Sequence, residues 1–136
     1  MSDNGVSVVI TTDIDVVGAR QRGRELAAQV GFSRGDQTVI AAAISEIARN
    51  ILTYARRGEV RMRIVNDGDR AAVEVVATDQ GPGIADIPSA MRDGYSTSGG
   101  LGLGLGGAQV LMDEFAIVSE PGKGTTVTMC KWHRRV

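Results

Sequence analysis

Apolar positions along this chain follow two periods, and the switches between them mark the elements. Val6 to Thr12 is a run of apolar and β-branched residues and reads as a first strand. Behind Asp13 and Asp15, residues suited to a helix cap, Val16, Ala19, Gly23, Leu26, Ala27 and Val30 recur at helical spacing, and Gly31 suits a C-cap. A second helix, capped by Ser33 or Asp36, carries the stripe Val39, Ile40, Ala43, Ile44, Ile47, Ile51 and Leu52, runs to about Ala55 and stops near Gly58. The period then falls to two. Val60, Met62 and Ile64 alternate with Arg61, Arg63 and Val65, which predicts a half-buried strand with a basic outer face. Asn66-Asp67-Gly68-Asp69 is a turn, and Ala71 to Thr78 is its more buried hairpin partner. A short helix is expected over Asp86 to Met91, then a polar, mobile segment from Asp93 to Gly99. Leu105, Ala108, Leu111, Met112 and Phe115 share a face of a third long helix. Ala116 to Ser119 is a strand, Pro121-Gly122-Lys123-Gly124 a hairpin turn, and Thr125 to Trp132 the final strand.

About five strands and three long helices, without regular strand–helix–strand alternation, predict an α/β (α+β) two-layer sandwich. Its mixed, mostly antiparallel sheet has the helices on one face. At 136 residues the chain reads as a single domain, 1–136. A hydrophobic fraction of 43% and a charged fraction of 23% are ordinary for a globular protein. The net charge of −1 argues against a general nucleic-acid binder, so no nucleic-acid partner is expected. No apolar run approaches the ~20 residues of a membrane span, and Met1 to Gly5 does not read as a signal peptide. A single cysteine, Cys130, excludes an intrachain disulfide and fits a reducing, cytoplasmic location. His133, the one histidine, lies near the chain end and is expected to be solvated. Arg20, Arg22 and Arg24 form either a solvated helix face or a docking surface for an acidic partner.

The chemistry centres on Ser96 to Gly107, in which six of twelve residues are glycine with interleaved leucines, just ahead of an apolar helical pattern. Glycine lets backbone amides approach a ligand closely, and a helix start adds unpaired N–H groups and a positive dipole end. Together these favour a phosphate. A flexible linker is the alternative, but Gly/Ser linkers lack such leucines. Gly102-x-Gly104-x-x-Gly107 matches a dinucleotide fingerprint by letter, yet no strand precedes it. No G-x-x-x-x-G-K-[ST] loop, H-R-D or D-F-G is present. Upstream, Glu46 and Asn50 are four apart and project from one face of the second helix; the plain alternative is an exposed polar pair. Asp79-Gln80-Gly81-Pro82-Gly83 places a carboxylate at a strand end before two glycines; alone, it is equally a common turn.

The ordered set Glu46-x-x-x-Asn50, Asp79-x-Gly81-x-Gly83, Gly100-x-Gly102-x-Gly104-x-Gly106 and Gly124-Thr125-Thr126 resembles the ATP site of the GHKL superfamily, with its Bergerat fold. The runs Glu46 to Ile51, Asp79 to Ile84, Ser96 to Gly102 and Leu111 to Phe115 narrow this. They resemble the serine/threonine kinases of bacterial partner-switching systems, closest to the RsbT type of the stressosome. The resemblance implies ATP and Mg²⁺ as cofactors. Glu46 would be the catalytic base and Asn50 the protein ligand to Mg²⁺. Asp79 would accept from the adenine amino group, with Gly81, Gly83 and Thr125 completing the base pocket. Ser98, Gly99, Gly100, Leu101, Gly102, Leu103, Gly104, Leu105 and Gly106 would hold the phosphates. It further implies STAS-domain scaffold or antagonist proteins (RsbS- or RsbR-like) as phosphoacceptors, and a downstream regulator such as a PP2C-type phosphatase. An anti-sigma-factor kinase of the RsbW or SpoIIAB type and a non-catalytic, ATP-binding partner switch are the alternatives.

Overall fold

The structure is a computed structural model that describes residues 5–82 and 104–134. The short helix expected over Asp86 to Met91 and the segment Asp93 to Gly99 lie outside the described residues. In chain order the elements are β1 (Val6–Ile10), α1 (Asp13–Val30), α2 (Arg34–Tyr54), β2 (Gly58–Asp67), β3 (Arg70–Asp79), α3 (Gly104–Leu111), β4 (Glu114–Glu120) and β5 (Gly124–Arg134).

Local chemistry sets the helix ends. Thr12, rather than Asp13 or Asp15, occupies the N-cap of α1. Asp15, one turn into the helix, reaches back so that its Oδ2 accepts from the Thr11 and Thr12 amides at 2.9 and 3.0 Å. These bonds, the Thr11 amide foremost, hold the Asp15 carboxyl below its ordinary pKa. Gly31 ends α1 at φ 107°, a left-handed conformation that favours glycine. Ser33 caps α2, its Oγ accepting from the Asp36 amide at 3.1 Å.

The stripe on α2 is the centre of the core. Ile40, Ala43, Ile44, Ile47, Ala48 and Ile51 are buried against the inner face of the sheet, where Val60, Met62, Val73, Val75, Ala77, Val127 and Met129 are buried in turn. Each such large side chain stabilises the fold by roughly 1.5–3 kcal/mol relative to leaving it exposed. α1 packs on α2 at Gly23, where an added Cβ would stand 2.1 Å from Ile44 Cδ1. The sequence therefore leaves a gap there that only hydrogen fills.

The five strands run in the order β1-β2-β3-β5-β4. The two-layer α+β expectation holds, with one difference: among the described residues every pairing is antiparallel. The connections explain it. A single crossover helix would return the chain for a parallel strand. Here the two helices α1 and α2 bring it back to the end where β1 stopped, and tight turns join β2 to β3 and β4 to β5. The register places Ile10, Gly58, Asp79, Thr125 and Ser119 on one rung crossing all five strands.

Two expectations change in the C-terminal half. α3 ends at Leu111, and Phe115 belongs to β4, which begins at Glu114. Phe115 satisfies both a helical and an alternating period. Bonds from distant sequence decide between them: the Asp113 amide donates to the Cys130 carbonyl at 3.0 Å, and Asp113 Oδ2 accepts from the Trp132 amide at 2.7 Å. His133 is half-buried rather than solvated, its ring centroid 5.0 Å from that of Phe32. β5 extends to Arg134 and so carries His133 under the end of α1.

Candidate nucleotide site

α2 contributes the first pair. Glu46 is only 4% exposed, which removes the exposed-pair alternative, and Arg49 Nη1 lies 3.7 Å from its Oε2. A carboxylate in such a place needs partners, because burying a charge without them is costly. Asn50 follows one turn later and is half-buried; among the described residues its amide makes no hydrogen bond. Ser45 does not join the pair, since its hydroxyl donates back to the Ala41 carbonyl at 3.0 Å.

β3 contributes Asp79, 7% exposed at the strand's last position. Its Oδ1 accepts twice, from the Gly81 amide at 2.9 Å and the Thr125 amide at 3.2 Å. Among the described residues no hydrogen bond reaches Oδ2. One carboxylate oxygen is thus spent on fixing the group and the other is presented as an acceptor. Gly81 has a second duty. A Cβ there would lie 2.5 Å from Ala55 Cβ and 2.8 Å from Ala55 Cα. Its small size therefore lets the turn after β3 close against the end of α2, which ties Asp79 to the helix that carries Glu46 and Asn50. Gly58, opposite Asp79 on β2, is equally constrained, its absent Cβ falling 2.5 Å from the Thr78 carbonyl oxygen.

β5 contributes Thr125, 5% exposed and directly opposite Asp79. Gly124 before it has φ 88°, and an added Cβ would meet the Asp79 carbonyl oxygen at 2.1 Å. Glycine is required there twice over, for conformation and for space. The sequence pattern included Gly124 but did not reveal this role. It also missed Ser119, whose Oγ lies 2.8 Å from Thr125 Oγ1; Ser119-Glu120-Pro121-Gly122 reads only as the approach to a turn.

Of the expected phosphate-binding residues, Gly104, Leu105 and Gly106 begin α3, which packs beside α2. The Leu105 side chain is 1% exposed and part of the core, so only its backbone remains for a ligand. Gly83, Ser98, Gly99, Gly100, Leu101, Gly102 and Leu103 lie outside the described residues. A cavity of about 530 Å³ adjoins the rung, with Ala55, Arg57, Gly58, Thr78, Asp79 and Gln80 in its wall. Another, of about 410 Å³, opens on the face of the sheet that no described helix covers, near Ser7, Arg61, Arg63 and Glu74. There Arg63 and Glu74 already satisfy each other at 2.7 Å, and none of the chemistry above reaches it.

A buried carboxylate and an amide on one helix, an acceptor carboxylate at a strand end, and a glycine-rich helix start now stand in one α+β frame. The family model for the histidine kinase-like ATPase domain matches residues 10–131, a span that holds all of them. The chain belongs to this family. Within it, the chain is 50% identical over 127 residues to the serine/threonine-protein kinase RsbT of Bacillus subtilis strain 168, covering 93% of this chain and 96% of the relative. It is 33% identical over 99 residues to the anti-sigma F factor of Thermoanaerobacter sp. strain X514, covering 68% of each. To the anti-sigma F factor of Halalkalibacterium halodurans it is 31% identical over 109 residues, 76% of this chain and 75% of the relative. As a histidine kinase-like ATPase domain, the chain carries the fold that its motifs implied. Among the described residues no helix is long and apolar enough to cross a membrane.

Proposed function

We propose that this chain is a cytoplasmic protein serine/threonine kinase that transfers the γ-phosphoryl group of ATP to a STAS-domain protein. One observation carries the reading. Glu46 is buried one turn from Asn50, whose amide makes no hydrogen bond among the described residues, on a helix that the Gly81–Ala55 contact ties to Asp79. The similarity to a serine/threonine-protein kinase along nearly the whole of both chains supports it.

Asp79 Oδ2 would accept from the amino group of adenine; guanine presents an acceptor there and would be repelled. Gly83, Thr125 and the backbone of the turn after β3 would line the base. The amides of residues 98–106 would hold the phosphates at the start of α3. Asn50 fits a Mg²⁺ site because its side-chain oxygen makes no hydrogen bond among the described residues. Among the described residues no cluster of three or more His, Cys, Asp or Glu side chains competes for a metal. One protein oxygen beside phosphate oxygens and water is the usual habit of Mg²⁺. When bound, the ion would neutralise charge on the phosphates. In the transfer, the acceptor hydroxyl oxygen bonds to the γ-phosphorus, the bond to the β–γ bridging oxygen breaks, and ADP departs. Glu46 takes the hydroxyl proton. Such transfer rests mainly on positioning and electrostatics, and a general base adds ~10²–10⁴-fold.

Incubation with γ-labelled ATP, Mg²⁺ and a STAS protein should place label on a serine or threonine of that protein. Bound ATP without transfer would instead favour a partner switch with no catalysis. After release from its scaffold, the kinase would bind a downstream regulator such as a PP2C-type phosphatase. The kinship with anti-sigma F factors favours one second reading, a kinase that also holds a sigma factor. Pull-down against sigma factor and STAS protein separates the two.

A further inference from the structure

The end of α3 that lies away from the proposed phosphate site is held by β5. In the register, Glu114 is the first residue of β4 and stands opposite Cys130. β5 runs on past that point to Arg134, so Lys131 and Trp132 have the α3–β4 junction beside them in place of a strand. They bond to it residue by residue. Lys131 Nζ donates to the Leu111 carbonyl at 3.2 Å, and the same ammonium lies 3.9 Å from Asp113 Oδ1. The Trp132 amide donates to Asp113 Oδ2 at 2.7 Å, and its indole Nε1 donates to Glu114 Oε2 at 2.8 Å. Of these contacts, the bond from Lys131 to Leu111 is the one that reaches the helix itself.

α3 has little of its own to keep it in place. It is eight residues long, and Gly104, Gly106 and Gly107 fall in its first turn. Glycine is the poorest helix former after proline, and a helix this short is unstable alone. Those glycines suit the close approach of a ligand, so that end cannot also supply stiffness. Leu105, Ala108 and Met112 seat one side of the segment in the core. At the other end, the last-turn carbonyls have no donor within the helix. Lys131 satisfies the one on Leu111 and sets a positive charge against the negative end of the helix dipole. The Lys131 side chain is only 18% exposed, so this is not the loose ion pair of a solvated surface lysine.

We propose that Lys131 is a positioning residue. By fixing the C-terminal end of α3, it keeps the amides at the helix start aimed at the phosphates of the bound nucleotide. The inference rests on the nucleotide-site reading given above and adds to it a residue at the opposite end of the helix. Lys131 acts across about 12 Å, the length of eight helical residues. A small tilt about the far end of α3 is enough to lengthen the hydrogen bonds at its start and so weaken them. Adenine, read from Asp79 on the sheet, does not feel that tilt, and neither do Glu46 and Asn50 on α2. The contribution of Lys131 is therefore confined to the phosphates.

The test measures equilibrium binding of ATP with Mg²⁺, and of adenosine, which has the base and no phosphate, to the full chain and its variants. In the parent protein, ATP should bind more tightly than adenosine. Lys131→Met keeps the apolar stem and removes both the donor and the charge. It should weaken ATP about threefold, the scale of one cation at a helix C-terminus. Adenosine binding should be unchanged, which also reports that the variant is folded. In steady-state transfer the loss should appear in KM for ATP with kcat held, because Glu46 and Asn50 stay in place. Lys131→Arg, which can still donate to the carbonyl, should restore ATP binding. Lys131→Gln, shorter and uncharged, should repeat the pattern of Lys131→Met, so either variant suffices if the other does not fold. Equal weakening of ATP and adenosine would mark a merely structural lysine and overturn the proposal, as would parental ATP binding in the Met and Gln variants. The phosphate reading survives that result if ATP still binds more tightly than adenosine. A parent protein that binds the two equally overturns the phosphate reading itself.

Discussion

Glu46 and Asn50 have unequal claims on the fold. At 4% exposure, Glu46 sits where an alanine or leucine would stabilise α2 better. Its retention there makes sense as chemistry. Glu46→Ala should lower phosphoryl transfer by at least ~10²-fold, with a much smaller change in ATP affinity, measured by single-turnover transfer beside equilibrium binding. A variant that transfers at the parental rate would remove Glu46 from the mechanism. Asp79 shows the complementary case. Two amides, one of them 46 residues away on β5, hold one oxygen still so that the other can read a ligand.

Among the elements, the junction of β3 with β5 bears the most strain of sequence choice. Gly124 meets Asp79 backbone to backbone at a left-handed φ of 88°. Gly124→Ala combines a conformational penalty of about 1–2 kcal/mol with overpacking of about 1–3 kcal/mol. Its Tm should fall by roughly 8 °C or more, and nucleotide affinity with it, since Asp79 loses its seat. A Tm within a degree of the parent would contradict the tight approach. The same strand holds Cys130, between Glu74 and Glu114 in the register. Burial first, and the nearby Glu114 charge next, push its thiol up to about 11 from an ordinary value of 9.0. The folded state thus keeps a proton that the unfolded chain releases above pH 9. Stability should be unaffected at neutral pH and decline as pH rises from about 9 through about 11. Cys130 should also resist alkylation at neutral pH until the protein unfolds. Denaturant titrations at several pH values check the first expectation, and Cys130→Ser should flatten the decline.

For the whole molecule, the proposed site lies where both layers meet: α2 and α3 would supply one wall and a single rung of the sheet the other. Filling it should therefore stabilise the global fold. At a hundredfold excess over Kd, a ligand that binds only the native state adds about 2.7 kcal/mol, visible as a rise in Tm with Mg²⁺ and ATP. EDTA should remove much of that rise, and Asn50→Ala should shrink its Mg²⁺-dependent part while leaving the Tm of the ligand-free protein nearly unchanged. Equal shifts with and without Mg²⁺ would exclude Asn50 as a metal ligand. The other face of the sheet, with Arg61 and Val118 exposed, is covered by no described helix and lies opposite the proposed site.

Local periodicity was enough to place α1, α2, β2 and β3. Each of these is long, each follows one period, and their ends carry caps and turns that act within a few residues, as at Gly31, Ser33 and Gly68. The family was likewise legible, because the four motif segments come in an order that resembles it, and all of them fall within the matched residues 10–131. The sequence alone could not say that Glu46 is buried, because its polar type suits either face of a helix. The end of α3 was ambiguous, because Phe115 fits both periods and Asp113 is drawn into the sheet by Cys130 and Trp132, residues far along the chain. His133 packs on Phe32 only because α1 and β5 end side by side. Above all, the Asp79–Thr125–Ser119 rung exists only through strand register. Register is an agreement between segments distant in sequence, and no single segment contains it.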